Sequence, residues 1–206
     1  MKVLLVNGSP HRNGCTFTAL EEVAKTLEQN GIETEIFQLG NKGIRGCIAC
    51  GVCKKKGECF MGDEVNEFAR KAKEADGFIF GSPVHYASAS GALTSFLDRL
   101  FYSSSSLLQF KPVAAVVSAR RSGTTATFDQ INKYAAMTNM PIVTSEYWNM
   151  VHGATPDDVR QDLEGMQTMS VLGNIMAWLM KCIELGKANN VNRPELEERI
   201  FTNFVR

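Results

Sequence analysis

From its first residues the chain alternates short apolar runs with longer amphipathic ones, and few architectures accommodate that alternation. Lys2 to Asn7 reads as a buried strand, its continuous apolar run Val3 to Val6 closed by Asn7-Gly8. Thr16 to Gln29 carries Leu20, Val23, Ala24 and Leu27 on one helical face. Glu33 to Leu39 predicts a second strand, Asp63 to Lys73 a helix, Gly77 to Ser82 a third strand and Ser90 to Phe101 the next helix. Val113 to Ser118 predicts a fourth strand, Thr125 to Met137 a helix, and Ile142 to Trp148 a fifth strand. A helical stretch from about Pro156 to Leu185 then precedes a charged tail. Strand–helix alternation of this kind predicts an α/β fold, a parallel sheet covered by helices on both faces.

With 206 residues the expectation is one domain over 1–206, carrying a cysteine-rich loop at 43–62 and a helical extension from about 156. A hydrophobic content of 44%, a charged content of 21% and a formal charge of zero describe a soluble globular protein, with no sign of a nucleic-acid or membrane partner. Val3 to Val6 is too short, and too soon interrupted by Asn7-Gly8, for a signal peptide or a membrane span. A cytoplasmic location is therefore expected, where thiols stay reduced and clustered cysteines read first as metal ligands or redox groups.

Such a cluster is present: Cys47, Cys50, Cys53 and Cys59 follow the interval C-x2-C-x2-C-x5-C. Thiolates three residues apart can converge from one tight loop, and Lys54 to Glu58 with Gly57 lets the chain bring Cys59 back, which is the ligand supply of an iron–sulfur cubane. Zinc is the first rival, although structural zinc sites usually separate two C-x2-C pairs by a longer spacer. Free thiols that form a disulfide on oxidation are the second. Cys182, in the apolar helical stretch, reads as a buried small hydrophobe.

In a doubly wound sheet ligands bind beyond the carboxyl ends of the strands. The loop after the first strand, Gly8 to Thr16, offers hydroxyls at Ser9 and Thr16, a cation at Arg12 and the amides of a helix N-terminus, the parts of a phosphate cradle. It matches neither the G-x-G-x-x-G nor the G-x-x-x-x-G-K-[ST] pattern, and an ordinary capped βα turn has the same composition. After the third strand comes Gly81-Ser82-Pro83-Val84-His85-Tyr86, continuing through Ser88 into a helix that ends in Leu97-Asp98-Arg99. Taken together, these two loops and the stretch from Gly81 to Arg99 resemble the NADPH-dependent FMN reductase group of flavodoxin-like proteins. The cysteine interval narrows the resemblance to the iron–sulfur flavoproteins of that group.

The resemblance implies a five-stranded parallel sheet in the order 2-1-3-4-5 and a bound FMN. It assigns phosphate contacts to Ser9, Arg12, Cys15 and Thr16, and ring contacts to Pro83, Val84, His85 and Tyr86. His11 and Cys15 depart from the residues common in the family at those positions. Tyr86 is compatible with stacking on a flavin and equally with an ordinary core aromatic. Flavin hydride transfer needs no general base, so no residue is singled out as catalytic, and His85 reads as a lining residue.

Ser118 to Thr125 follows the fourth strand and should reach the same crevice. Arg120 or Arg121 there would stabilise an anionic reduced flavin, and two solvated surface arginines are the plain alternative. His152 lines the far side or is simply structural. Met166, Met169, Met176 and Met180 with Leu172, Ile175, Leu179 and Ile183 form a helix face that packs on the core, and Trp178 widens it toward a subunit contact. The expected activity is that of an FMN-dependent oxidoreductase in which a [4Fe-4S] cluster relays single electrons. NAD(P)H or a reduced ferredoxin is the expected donor, a small molecule the acceptor, and a dimer or tetramer of this chain the assembly. A cluster-free NAD(P)H-dependent FMN or quinone reductase and a non-catalytic flavodoxin-like carrier are the alternatives.

Overall fold

A computed structural model describes residues 1–202 and 204. Its strands are β1 (Lys2–Asn7), β2 (Glu33–Gln38), β3 (Gly77–His85), the two-residue β4 (Ser88–Ala89), β5 (Val113–Ala119) and β6 (Met150–His152). Five of them form a parallel sheet in the order β2-β1-β3-β5-β6, while β4 folds back antiparallel on the end of β3. Among the parallel strands that is the flavodoxin-like sequence of neighbours, with β4 as an addition. The helices are α1 (Cys15–Gln29), α2 (Val52–Lys56), α3 (Glu64–Ala72), α4 (Gly91–Ser104), α5 (Thr124–Met137), α6 (Pro156–Gln161) and α7 (Leu163–Ala188).

Alternate side chains of each strand point to opposite faces, so one apolar run serves two cores. Leu4, Val6, Phe78 and Phe80 meet Val65 and Phe68 of α3, Phe96 and Leu100 of α4 and Ile131 of α5. Val3, Leu5, Ile79 and Val116 meet Leu20, Val23 and Leu27 of α1 and Met169, Leu172 and Met176 of α7. Phe68 packs edge-on against Phe96 at 5.3 Å between ring centres, and each such fully buried ring stabilises the fold by about 1.5–3 kcal/mol. Gly173 lets α7 approach α1 closely, since a Cβ there would stand 2.7 Å from that of Thr26.

Two expectations need correction. The fifth strand is Met150–His152 rather than Ile142 to Trp148. The earlier segment pairs with the sheet at a bridge from Ile142 to Val113 and buries Val143, then loops outward with Tyr147 and Trp148 exposed, and regains its place where Val117 donates to the Asn149 carbonyl. Cys182 is exposed rather than buried. The face of α7 that packs on the sheet runs through Met169, Leu172, Met176 and Met180, and two further residues turn the helix about 200° away from it. Trp178 is exposed as well. Among the described residues no helix is long and apolar enough to cross a membrane.

Candidate functional site

At the carboxyl edge of the sheet the loop after β1 is braced from below. Asn7 Nδ2 donates to Gln38 Oε1 at 2.6 Å, and Gln38 Nε2 donates to the Ser9 carbonyl at 2.8 Å, so the end of β2 carries the loop. Ser9 is buried; its amide donates to Asn7 Oδ1, and its hydroxyl accepts from the His11 amide at 3.2 Å. No side chain caps α1 and no acidic residue stands in its first turn. The amides of that turn therefore remain available to an anion, which the helix dipole also favours. Thr16 is buried, with its hydroxyl 2.8 Å from that of Ser118 at the end of β5. The Cys15 thiol is raised above its usual range by burial, and it donates to the Gly153 carbonyl at 3.6 Å. Arg12 and His11 are exposed on the loop.

The loop after β3 is a hairpin. His85 pairs with Ser88, and Tyr86 and Ala87 between them hold φ of 50° and 57°, the two left-handed positions of a type I′ turn, made here without glycine. Backbone strain of this kind persists where the surroundings enforce it. Gln130 of α5 does so by accepting from the Ala89 amide at 2.9 Å and the Ser88 hydroxyl at 2.8 Å. Ser90 caps α4 and donates to the Gly8 carbonyl at 2.7 Å, locking this hairpin to the first loop. Pro83 and Val84 are half-buried, His85 is exposed, and the Tyr86 side chain stands wholly in solvent. Tyr86 is thus no core aromatic. Gly123, at φ 90°, packs against Ala87 and Val84, which brings the loop of Arg120 and Arg121 alongside the hairpin, with both arginines exposed. The loops after β1, β3 and β5 therefore converge on one shelf. His152 sits beside it at the end of β6, held by the Asp162 carboxylate through its amide at 2.6 Å.

The four clustered cysteines occupy a different place. Cys47, Cys50, Cys53 and Cys59 line one cavity of about 200 Å³, together with Arg99 and Tyr102 of α4. Ala49 and Gly51 adopt left-handed φ of 53° and 69° between the first three, and Gly57, at 73°, turns the chain back to Cys59. Among the described residues no three His, Cys, Asp or Glu side chains converge closely enough to hold a metal ion. The thiols share a cavity without being gathered.

Arg99 is a residue whose importance the sequence reading missed. It is 2% exposed on the apolar face of α4, between Phe96, Leu97 and Leu100, and an arginine at that register is itself a signal of a buried partner. Its Nη1 and Nη2 make a bidentate pair with Asp63 at 2.7 and 2.6 Å, and its Nε and Nη2 each donate to Cys59 Sγ at 3.3 Å. Burial alone would lower the guanidinium pKa, but Asp63 and Cys59 hold it above its ordinary value. Burial likewise would raise the Asp63 carboxyl, but Arg99 and the Val65 amide hold it below the usual range. Asp63 at the same time caps α3 through that amide.

Comparison with known proteins gives this arrangement a family. The model of the family described as NADPH-dependent FMN reductase matches residues 1–155. An iron-sulfur flavoprotein of Methanocaldococcus jannaschii is 33% identical over 192 residues, covering 89% of this chain and 100% of that one. An iron-sulfur flavoprotein of Methanosarcina thermophila is 26% identical over 188 residues, covering 89% and 97%. The solved structure of a flavodoxin from the domain Archaea superposes with a TM-score of 0.59 at 18% identity, covering 88% of this chain and 99% of that one, a likeness of fold alone. Because the family match takes in every strand of the sheet and the converging loops after β1, β3 and β5, the chain belongs to the NADPH-dependent FMN reductase family and is an FMN-dependent oxidoreductase.

Proposed function

We propose that this oxidoreductase is an iron–sulfur flavoprotein, moving electrons between FMN on the loop shelf and a [4Fe-4S] cluster held by Cys47, Cys50, Cys53 and Cys59. The observation that carries the reading is the shared cavity of the four sulfurs, with guanidinium donors aimed at one of them. The donor set suits thiolate ligands: Cys59 Sγ accepts from Arg99, and Cys47 Sγ accepts the Ala49 amide at 3.4 Å. FMN supplies hydride acceptance and one-electron release, and a cubane supplies one-electron transfer.

The chain's own residues have separable tasks in this reading. Ser9, Arg12 and Thr16, with the first-turn amides of α1, hold a phosphate; Ser118 fixes the Thr16 hydroxyl, and Cys15 packs beneath as a neutral thiol. Pro83, Val84, His85 and Tyr86 line the ring, and Arg120 and Arg121 offset negative charge on it. NAD(P)H or a reduced ferredoxin is the proposed donor, and a small molecule the acceptor. The exposed Tyr147, Trp148 and Trp178 favour an assembly of several copies, and a reduced cytoplasmic setting suits the thiols.

Anaerobic reconstitution followed by iron, sulfide and flavin analysis tests the proposal. About four iron and four sulfide per chain beside one FMN is the expected result. The scattered thiol positions favour a second reading, a cluster-free NAD(P)H-dependent FMN or quinone reductase. Zinc uptake or no metal at all, with NAD(P)H turnover retained, would select it.

A further inference from the structure

Arg99 distributes its donors unequally for a residue that only needs a counter-charge. A guanidinium has five N–H groups, and a carboxylate fork takes two of them. Here Asp63 takes two, the Arg45 carbonyl takes one at 3.3 Å, and the remaining two converge on the single sulfur of Cys59. A neutral thiol is a weak acceptor, so two buried donors on one sulfur are poorly repaid unless that sulfur carries negative charge. The backbone of Cys59 is held too, its carbonyl accepting Asn66 Nδ2 of α3 at 2.8 Å. Cys47 and Cys50, by contrast, are exposed. One cysteine of the four is therefore clamped between α3 and α4 by groups 7 and 40 residues away in sequence.

We propose that Arg99 is a positioning residue for the Cys59 ligand and raises the reduction potential of the cluster, with Asp63 as the counter-charge that limits the effect. The inference rests on the iron–sulfur reading above. Hydrogen bonds to cluster sulfurs favour the state with one electron more, because they stabilise the larger negative charge. Asp63, paired to the same guanidinium, offsets part of that influence while capping α3. The two residues consequently act in opposite directions, which a purely architectural role would not produce.

The test uses the full chain, purified without oxygen and loaded with FMN and cluster. Iron, sulfide and FMN are counted, and the cluster potential is read by redox titration under electron paramagnetic resonance. Arg99→Gln should move the potential to a more negative value and speed iron loss to a chelator. Arg99→Lys keeps the charge but cannot bridge Asp63 and the sulfur with one fork, so a smaller shift in the same direction is expected. Asp63→Asn, which retains the helix cap, should move the potential to a more positive value. FMN content equal to that of the wild type shows each variant folded; if Arg99→Gln fails this check, the other two carry the test. An iron-loaded wild type whose potential neither Arg99→Lys nor Asp63→Asn displaces would overturn the role of Arg99 and leave the cluster standing. A wild type that takes up no iron removes both.

Discussion

Thr16 and Ser118 lie 102 residues apart in the chain, yet their hydroxyls share a buried hydrogen bond of 2.8 Å. It joins the first turn of α1 to the end of β5, and so couples the loop after β1 to the strand that leads to the arginines. Removing one partner leaves the other buried and unpaired, at a cost of about 1–3 kcal/mol. Ser118→Ala should lower the thermal midpoint accordingly. Replacing Ser9 and Thr16 with alanine should weaken FMN about tenfold more than riboflavin, since only FMN carries the phosphate and a charge-assisted hydrogen bond is worth about 1.5–3 kcal/mol. Equal losses in fluorescence titrations with the two ligands would remove the phosphate assignment.

Gly123 is where the loops after β3 and β5 meet. Its φ of 90° disfavours any side chain, and a Cβ would stand 2.8 Å from Ala87 Cα and 2.9 Å from Val84 Cγ1. Gly123→Ala should destabilise by about 2–4 kcal/mol from backbone and overpacking terms together. Because the hairpin would have to shift, FMN affinity should fall as well. A urea midpoint and an FMN dissociation constant both matching the wild type would show that the two loops are not in tight contact.

Arg120 and Arg121 are exposed, so their charge acts through water. Neutralising both should lower the flavin potential by an amount on the order of 1 kcal/mol per electron, and the shift should shrink as salt is raised. Spectroelectrochemical titration at two ionic strengths measures it. A potential unaltered in the double variant at low salt would return both residues to the solvated surface.

Asp63 sets an acid limit. Its folded pKa lies below the unfolded value of about 3.9, so the stability it contributes is present above that pH and is lost as pH falls through the folded value. Asp63→Asn should cost about 3 kcal/mol at neutral pH. That is the low end for a broken buried pair, because the Asp63 side chain is 25% exposed while that of Arg99 is 1% exposed. The difference between the two proteins should begin to narrow once pH drops below about 3.9, and go on narrowing toward the lower folded value, in chemical denaturation. A difference that stays constant from pH 7 to 3 would mean that the carboxylate charge is not what Arg99 requires.

What the sequence determined alone was the part of the protein governed by local periodicity. Val3 to Val6, Gly77 to Ser82 and Val113 to Ser118 are apolar on both faces, and only a central parallel strand has use for that pattern; each appears where expected. The loops that follow them were legible for the same reason, since a doubly wound sheet brings the carboxyl ends of its strands to one edge. Ser9, Thr16, Pro83 and Ser118 are brought together there. Tertiary structure alone decided what depends on partners distant in the chain. Ile142 to Trp148 has the composition of a strand, but it bridges β5 at Ile142, turns Val143 into the core against α1 and α7, and then loops out, so the strand begins at Met150. Cys182 has apolar neighbours, but the turn of α7 faces it away from the sheet. Arg99 looked like the end of a motif. Its position opposite Asp63 and Cys59 follows from the packing of α4 on α3 and the cysteine loop, and no local pattern encodes the desolvation that makes those contacts strong.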